Sequence, residues 1–159
     1  MNVWLNQKWR SYYDVHPHRS GLRVTYDSDI HPEVKRACKA FVAWLRTQYE
    51  FPQRIRMYVK AKDRIRARDG TLVCGTFLGP YNRSEEPYIR IAVGDYLEIA
   101  DIRGKDNALA SILGTIAHEL THYFQWLNDM TFTAIGEERQ ATNYSRKILS
   151  DYAETRDHP

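Results

Sequence analysis

Two cysteines, Cys38 and Cys74, are all that 159 residues contain, and they stand far apart in unlike segments. So few exclude a disulfide framework. The expectation is two buried free thiols in a reducing compartment, and hence a cytoplasmic protein. Long apolar runs are missing too. No stretch reaches the roughly eighteen apolar residues a membrane span needs, so no membrane partner is expected. Residues 1–8 lack the apolar core of an export signal. Charge of one sign is scarce: 23 Lys and Arg against 20 Asp and Glu leave a net +3. That is too little for the whole chain to read as a nucleic-acid or membrane binder. No internal repeat, low-complexity tract or Pro/Ser linker divides the sequence. One domain, 1–159, with one core is expected.

What the chain does have is apolar area and pattern. Hydrophobic residues make up 43% and charged residues 27%, the balance of an ordinary folded domain. Eleven Tyr, five Phe and four Trp supply area for the core. Residues 1–20 show no clear period and read as an irregular or partly helical lead-in. Residues 21–26 (G-L-R-V-T-Y) alternate like a short strand. His31-Pro32 opens a helical pattern to about Tyr49, closed off by Pro52, with Val34, Ala37, Cys38, Phe41, Val42 and Leu45 at steps of three and four. Residues 54–68 alternate strictly, Asp69-Gly70 reads as a two-residue hairpin turn, and 71–78 return as a strand. A loop over 79–87 leads to a further short strand, 88–93 (Y-I-R-I-A-V). Helices are expected from about 107 to 127 and from about 134 to 152. A helix, three or more strands and two helices in that order predict an α+β domain.

The chemistry is concentrated in His118-Glu119-Leu120-Thr121-His122. Two histidines four residues apart share one face of a helix and can point at a single ion. Zinc takes imidazole nitrogen readily, and a catalytic site needs three protein ligands with one position left open. The intervening glutamate is then placed as general base. At 100° per residue, Leu109, Ile112, Leu113, Ile116, Leu120, Phe124 and Leu127 form one stripe. His118 and His122 fall roughly opposite it, beside Ser111, Thr115 and Gln125, so they do not read as a pair of core histidines. Candidates for the third ligand are Asp129, Glu137, Glu138, Asp151, Glu154, Asp157 and His158. Asp129 lies about two turns along the same helix from His122, out of reach of a shared ion. An antiparallel return of the last helix would carry Glu137 and Glu138 past the histidines, and spacing leaves those two open.

H-E-L-T-H followed by a separate glutamate helix resembles the gluzincin metallopeptidases, the thermolysin-like clan and its smallest relatives, the minigluzincins. The glutamate helix of that family often reads Glu-x-x-(small)-Asp-x-(aromatic)-(small), and this chain has Glu138-Arg139-Gln140-Ala141-Thr142-Asn143-Tyr144-Ser145. The resemblance implies Zn2+ held by His118, His122 and Glu138, with Glu119 as the catalytic base of a zinc peptidase. It puts Ala141, Tyr144 and Ser145 in packing positions. The chain departs at Thr142, where the family usually carries an aspartate that orients a zinc-bound histidine. In element order the likeness covers about residues 32–153. The implied fold is zincin-like: a small mixed or antiparallel sheet packed on a backing helix and the metal helix, with a C-terminal glutamate helix. It also implies a peptide or protein substrate laid along a strand edge, here 88–93. An oxyanion-stabilising Tyr or His is implied too, with Tyr152, Tyr123 and His158 left open.

Two features stand apart from that motif. Arg54, Arg56, Lys60, Lys62, Arg64, Arg66 and Arg68 line one face of 54–68 and, with Asp63, give this segment +6 against −3 for the rest. It reads either as a solvated outer sheet face or as a dock for nucleic acid or an acidic protein partner. Residues 154–159 (E-T-R-D-H-P) are expected to trail free of the last helix and to regulate access to the metal.

Overall fold

Two hydrophobic strands that pair in parallel need a crossover between them, and the first helix supplies it. In a computed structural model describing residues 2–159, β1 (Leu22–Tyr26) and β2 (Ile55–Lys60) flank α1 (Pro32–Gln48). The next elements are β3 (Ile65–Arg66), β4 (Leu72–Val73), β5 (Gly75–Leu78) and β6 (Tyr88–Ala92). Three more helices follow: α2 (Tyr96–Arg103), α3 (Lys105–Leu127) and α4 (Ala134–Ala153). The main sheet has the order β1-β2-β6-β5, with β1–β2 and β2–β6 parallel and β5–β6 antiparallel. The architecture is therefore mixed α/β with a small mixed sheet.

Local chemistry explains most of these elements. Pro32 sits in the first turn of α1, and His31 caps it, Nδ1 accepting from the Glu33 amide at 3.1 Å. The predicted stripe of α1 is its buried face. In β2, Ile55, Met57 and Val59 are fully buried while Arg56 is exposed, so period-two alternation sets which side meets the core. One hydrophobic cluster runs from Val3 to Tyr152 and gathers side chains from the sheet and from α1, α3 and α4.

Residues 54–68 and 71–78 are not single strands. The chain bends between Lys60 and Ile65, where the backbone of Lys62 and Asp63 crosses Gly94. The Gly94 amide donates to the Lys62 carbonyl at 2.8 Å, and a Cβ on Gly94 would stand 2.6 Å from the Lys62 carbonyl carbon. Only glycine admits that approach. Beyond the bend, β3 and β4 pair as a separate hairpin. Its loop holds three residues rather than two: Ala67 N–H bonds the Thr71 carbonyl at 2.8 Å around Arg68-Asp69-Gly70, with Gly70 at φ +88°. A second bend at Cys74 passes the chain from β4 into β5. The pattern reading also missed α2, and the broken phase at Gly104 (φ +89°) separates α2 from α3.

Residues 2–20 form a partly helical lead-in. Short 3-10 turns hold residues 3–5, 8–11 and 17–19, and the segment straps the back of α3. Trp4 Nε1 donates to Thr121 Oγ1 at 3.0 Å, the Trp9 amide donates to Asn128 Oδ1 at 3.1 Å, and the Tyr12 hydroxyl donates to the Leu127 carbonyl. Cys38 is buried, with its thiol pushed up to about 12, whereas Cys74 is exposed at the β4–β5 bend; both are unpaired. The expectation of two buried thiols therefore holds for Cys38 alone. No helix among the described residues is long and apolar enough to cross a membrane.

Candidate metal centre

α3 supplies His118, Glu119 and His122 from one face, and the chain then reverses through residues 128–133. Thr133 caps α4, its Oγ1 accepting from the Gly136 amide at 3.0 Å. That cap starts α4 so that its second turn brings Glu138 over the histidines. His118 Nε2 lies 3.0 Å from Glu138 Oε2, and His122 Nε2 lies 3.0 Å from Glu138 Oε1. Three ligand atoms, one from each residue, fall within 4.8 Å of one another. Glu137 is not in that group; its backbone carbonyl instead accepts from Gln125 Nε2 at 3.1 Å.

Gln125 determines how the site is wired. Its Nε2 donates to the Glu137 carbonyl and to Gln140 Oε1, so its Oε1 faces His122 Nδ1 at 2.7 Å as an acceptor. Nδ1 of His122 therefore carries the proton and Nε2 presents its lone pair to Glu138, a tautomer assigned from the bonding pattern. A lone pair facing a carboxylate oxygen at 3.0 Å is repulsive unless a proton or a cation lies between them. The second histidine adds to the same demand. Burial, then the neighbouring His122, lowers the His118 pKa despite the opposing pull of Glu138, which favours the neutral, metal-ligating imidazole. Adjacent ligands of a tetrahedral zinc shell, with bonds of about 2.0–2.1 Å, stand roughly 3.3 Å apart. The two His–Glu separations of 3.0 Å run to different oxygens of Glu138, and two imidazoles with one carboxylate, their ligand atoms within 4.8 Å of one another, could hold a metal ion.

Glu119 is 7% exposed, and among the described residues no donor reaches its carboxylate. Burial, then Glu138, pushes it up to about 8. It faces a cleft of about 520 Å³ floored by β5 and walled by the β3–β4 hairpin and the start of α4. β5 approaches so closely that a Cβ on Gly75 would lie 2.7 Å from Thr115 Cγ2 and 3.2 Å from Glu119 Oε1. The Ala92 amide bonds the Cys74 carbonyl at 2.7 Å. Pairing alternates from there, so Thr76 and Leu78 bond β6, while Gly75 and Phe77 turn their backbone N–H and C=O outward.

That alternation corrects the expected substrate edge. Residues 88–93 contain β6, a central strand with β2 on one side and β5 on the other, and so have no free edge. The edge strands are β1 and β5, and β5 is the one that borders the cleft. The oxyanion candidates lie elsewhere. Tyr123 is fully buried and donates to the Gln53 carbonyl at 2.6 Å. Tyr152 packs against Phe41 and Trp44. His158 sits 2.7 Å from Asp106 near the start of α3, about 18 Å along that helix from His118. With the Pro159 carbonyl also bound by Arg36 at 2.9 Å, the expected free tail is docked away from the cleft. Asp129 pairs with Arg83 at 2.7 Å and Asp151 with Lys147 at 3.2 Å, so neither joins the centre. Along the basic face, Arg54 and Arg56 pair with Glu86, Lys60 with Asp27 and Arg64 with Asp95, so four of its seven cations are matched by nearby carboxylates.

Pattern reading placed Gln125 beside the histidines without giving it a role, although its spacing of three from His122 on a helix was the available signal. Gly75 carried no signal, because its closeness to Glu119 is a long-range contact. Compared with protein-family models, curated proteins and solved structures, the chain shows no match to any.

Proposed function

We propose that this protein is a zinc-dependent peptidase, in which His118, His122 and Glu138 hold the ion and Glu119 is the general base. The observation that carries this reading is the convergence of three donor atoms within 4.8 Å from two helices, beside a buried carboxylate that no protein group satisfies. A zinc ion there would lower the pKa of a water to about 7 and polarise a scissile carbonyl. Glu119, whose carboxylate lines the same cleft, would serve as base toward that water and return the proton to the leaving amine. Gln125 keeps His122 in the tautomer with Nε2 free. The outward N–H and C=O of Gly75 and Phe77 receive an extended peptide by strand addition. A cytoplasmic setting belongs to the same proposal, supported by the unpaired thiols of Cys38 and Cys74.

Metal analysis combined with peptide hydrolysis tests it. Wild type should carry one zinc per chain, and Glu137→Ala should keep it while Glu138→Ala loses it. Glu119→Gln should keep both zinc and fold but lose activity by about two to four orders of magnitude. Undiminished hydrolysis by Glu119→Gln would rule out the general-base role.

A further inference from the structure

A second cavity, of about 400 Å³, lies between α3, α4 and the tail that follows α4. Leu149, on its wall, stands roughly 16 Å along α4 from Glu138, so the cavity is separate from the metal centre. Leu113 of α3, Leu149, Tyr152 and Ala153 of α4, and Pro159 of the tail make its lining largely apolar. The tail is fixed in place as the outer wall, because His158 bonds Asp106 at 2.7 Å and the Pro159 carbonyl bonds Arg36 at 2.9 Å. The volume falls within the roughly 300–1,000 Å³ of small-ligand pockets.

Charge and an orphaned donor describe the molecule that would fit. Arg146 and Arg156 line the cavity against one carboxylate side chain, that of Asp157. Among the described residues neither arginine forms an ion pair, and the carboxylates nearby are engaged elsewhere, Asp151 with Lys147 and Asp106 with His158. The Arg156 guanidinium lies 4.0 Å over the Tyr152 ring, which holds a cation against the apolar wall. Tyr152 is the independent observation. It is 2% exposed, its ring packs on Phe41 and Trp44, and its hydroxyl is buried with no hydrogen-bond partner. Burial raises its pKa, against the opposing pull of Arg156 and Arg36, so the hydroxyl keeps its proton and remains a donor. Buried polar groups are normally partnered, and the partner missing here is an acceptor.

We propose that this cavity binds a medium-chain fatty acid, its alkyl chain between α3 and α4 and its carboxylate taken by Arg156, Arg146 and the Tyr152 hydroxyl. The apolar lining accounts for the chain, and the unpaired guanidinium groups and the orphaned hydroxyl account for the head. A carboxylate accepts several hydrogen bonds at once and brings the negative charge that both arginines lack. An alcohol of the same length brings only the chain, and an amine brings the wrong sign.

Isothermal titration calorimetry of the full chain with octanoate, 1-octanol and octylamine tests this. One octanoate per chain should bind at least about tenfold tighter than 1-octanol or octylamine. Arg156→Gln should erase most of that advantage, and Arg146→Gln, at an exposed position on α4, should reduce it. Tyr152→Phe keeps the ring packing and removes only the hydroxyl, so it should weaken octanoate about three- to tenfold and leave 1-octanol unchanged. Excess chelator should alter none of these affinities, and octanoate binding that disappears on chelation would put the carboxylate on a metal and overturn the site. Equal affinity for octanoate and 1-octanol, or octanoate affinity unmoved by both Arg156→Gln and Tyr152→Phe, overturns it as well. Tighter binding of a short peptide ending in a free leucine carboxylate would assign the cavity to a chain terminus in place of a fatty acid.

Discussion

At the residue scale the decisive group is Glu119, because its environment resists the charge its proposed role requires. In metal-free protein its carboxyl titrates at about 8 in the fold against an ordinary 4.5. Below pH 4.5 both folded and unfolded chains hold this proton. As pH rises from 4.5 to 8 the unfolded chain releases it and the folded chain does not, so stability falls across that window. His118 acts from the other side. Its lowered pKa means that the unfolded chain takes up a proton below pH 6.5 that the folded chain refuses, so stability also falls toward acid. In excess chelator, Glu119→Gln should therefore gain on wild type by on the order of 3 kcal/mol between pH 5 and pH 8. Denaturant midpoints measured at both pH values read this directly. A difference between variant and wild type that stays flat with pH would mean that Glu119 is not buried as described.

At the scale of elements, the centre depends on how α4 is fastened against α3. Two of the candidate ligands come from α3 and one from α4, and Gln125 is the side chain that bonds across to both Glu137 and Gln140 while facing His122. Gln125→Leu keeps the volume and removes both functions. Zinc affinity should drop by about 10- to 100-fold, the usual effect of losing a group that orients a metal-bound histidine. Competition with a chromogenic chelator measures it. Thr142→Asp is the informative companion, and an unchanged affinity in Gln125→Leu would show that the helix pair orients His122 without it.

Over the whole molecule, the N-terminal strap links stability to the site. Trp4 is 3% exposed, packs on Tyr49 and Phe124, and donates to Thr121 inside the H-E-L-T-H stretch. Trp4→Ala should cost about 3–5 kcal/mol, through lost burial and the cavity left behind. Trp4→Phe should cost about 1–2 kcal/mol, mainly through the lost hydrogen bond. Urea unfolding of metal-free protein separates the two. A cost below about 1 kcal/mol for Trp4→Ala would mean that the strap is a bystander to the core.

The sequence by itself determined what short-range periodicity controls. The 3.6-residue stripe of α1, the alternation of β2 and the four-residue spacing of His118 and His122 are properties of neighbours along the chain, and each appears where pattern placed it. The choice of Glu138 followed from a motif likeness, and the structure groups Glu138 with His118 and His122. Other features were decided only in three dimensions. Which strand lies at the sheet edge depends on β5 turning back beside β6 after the bend at Cys74, a pairing no local pattern encodes. The break in 54–68 depends on the passage of the chain over Gly94, some thirty residues away. Gln125 sits on the polar side of α3 in projection, yet it is buried, because α3 is covered on several faces by the sheet, α4 and the N-terminal strap. Amphipathicity records which residues avoid water on average. It cannot record the polar groups that a second helix and an edge strand enclose for use.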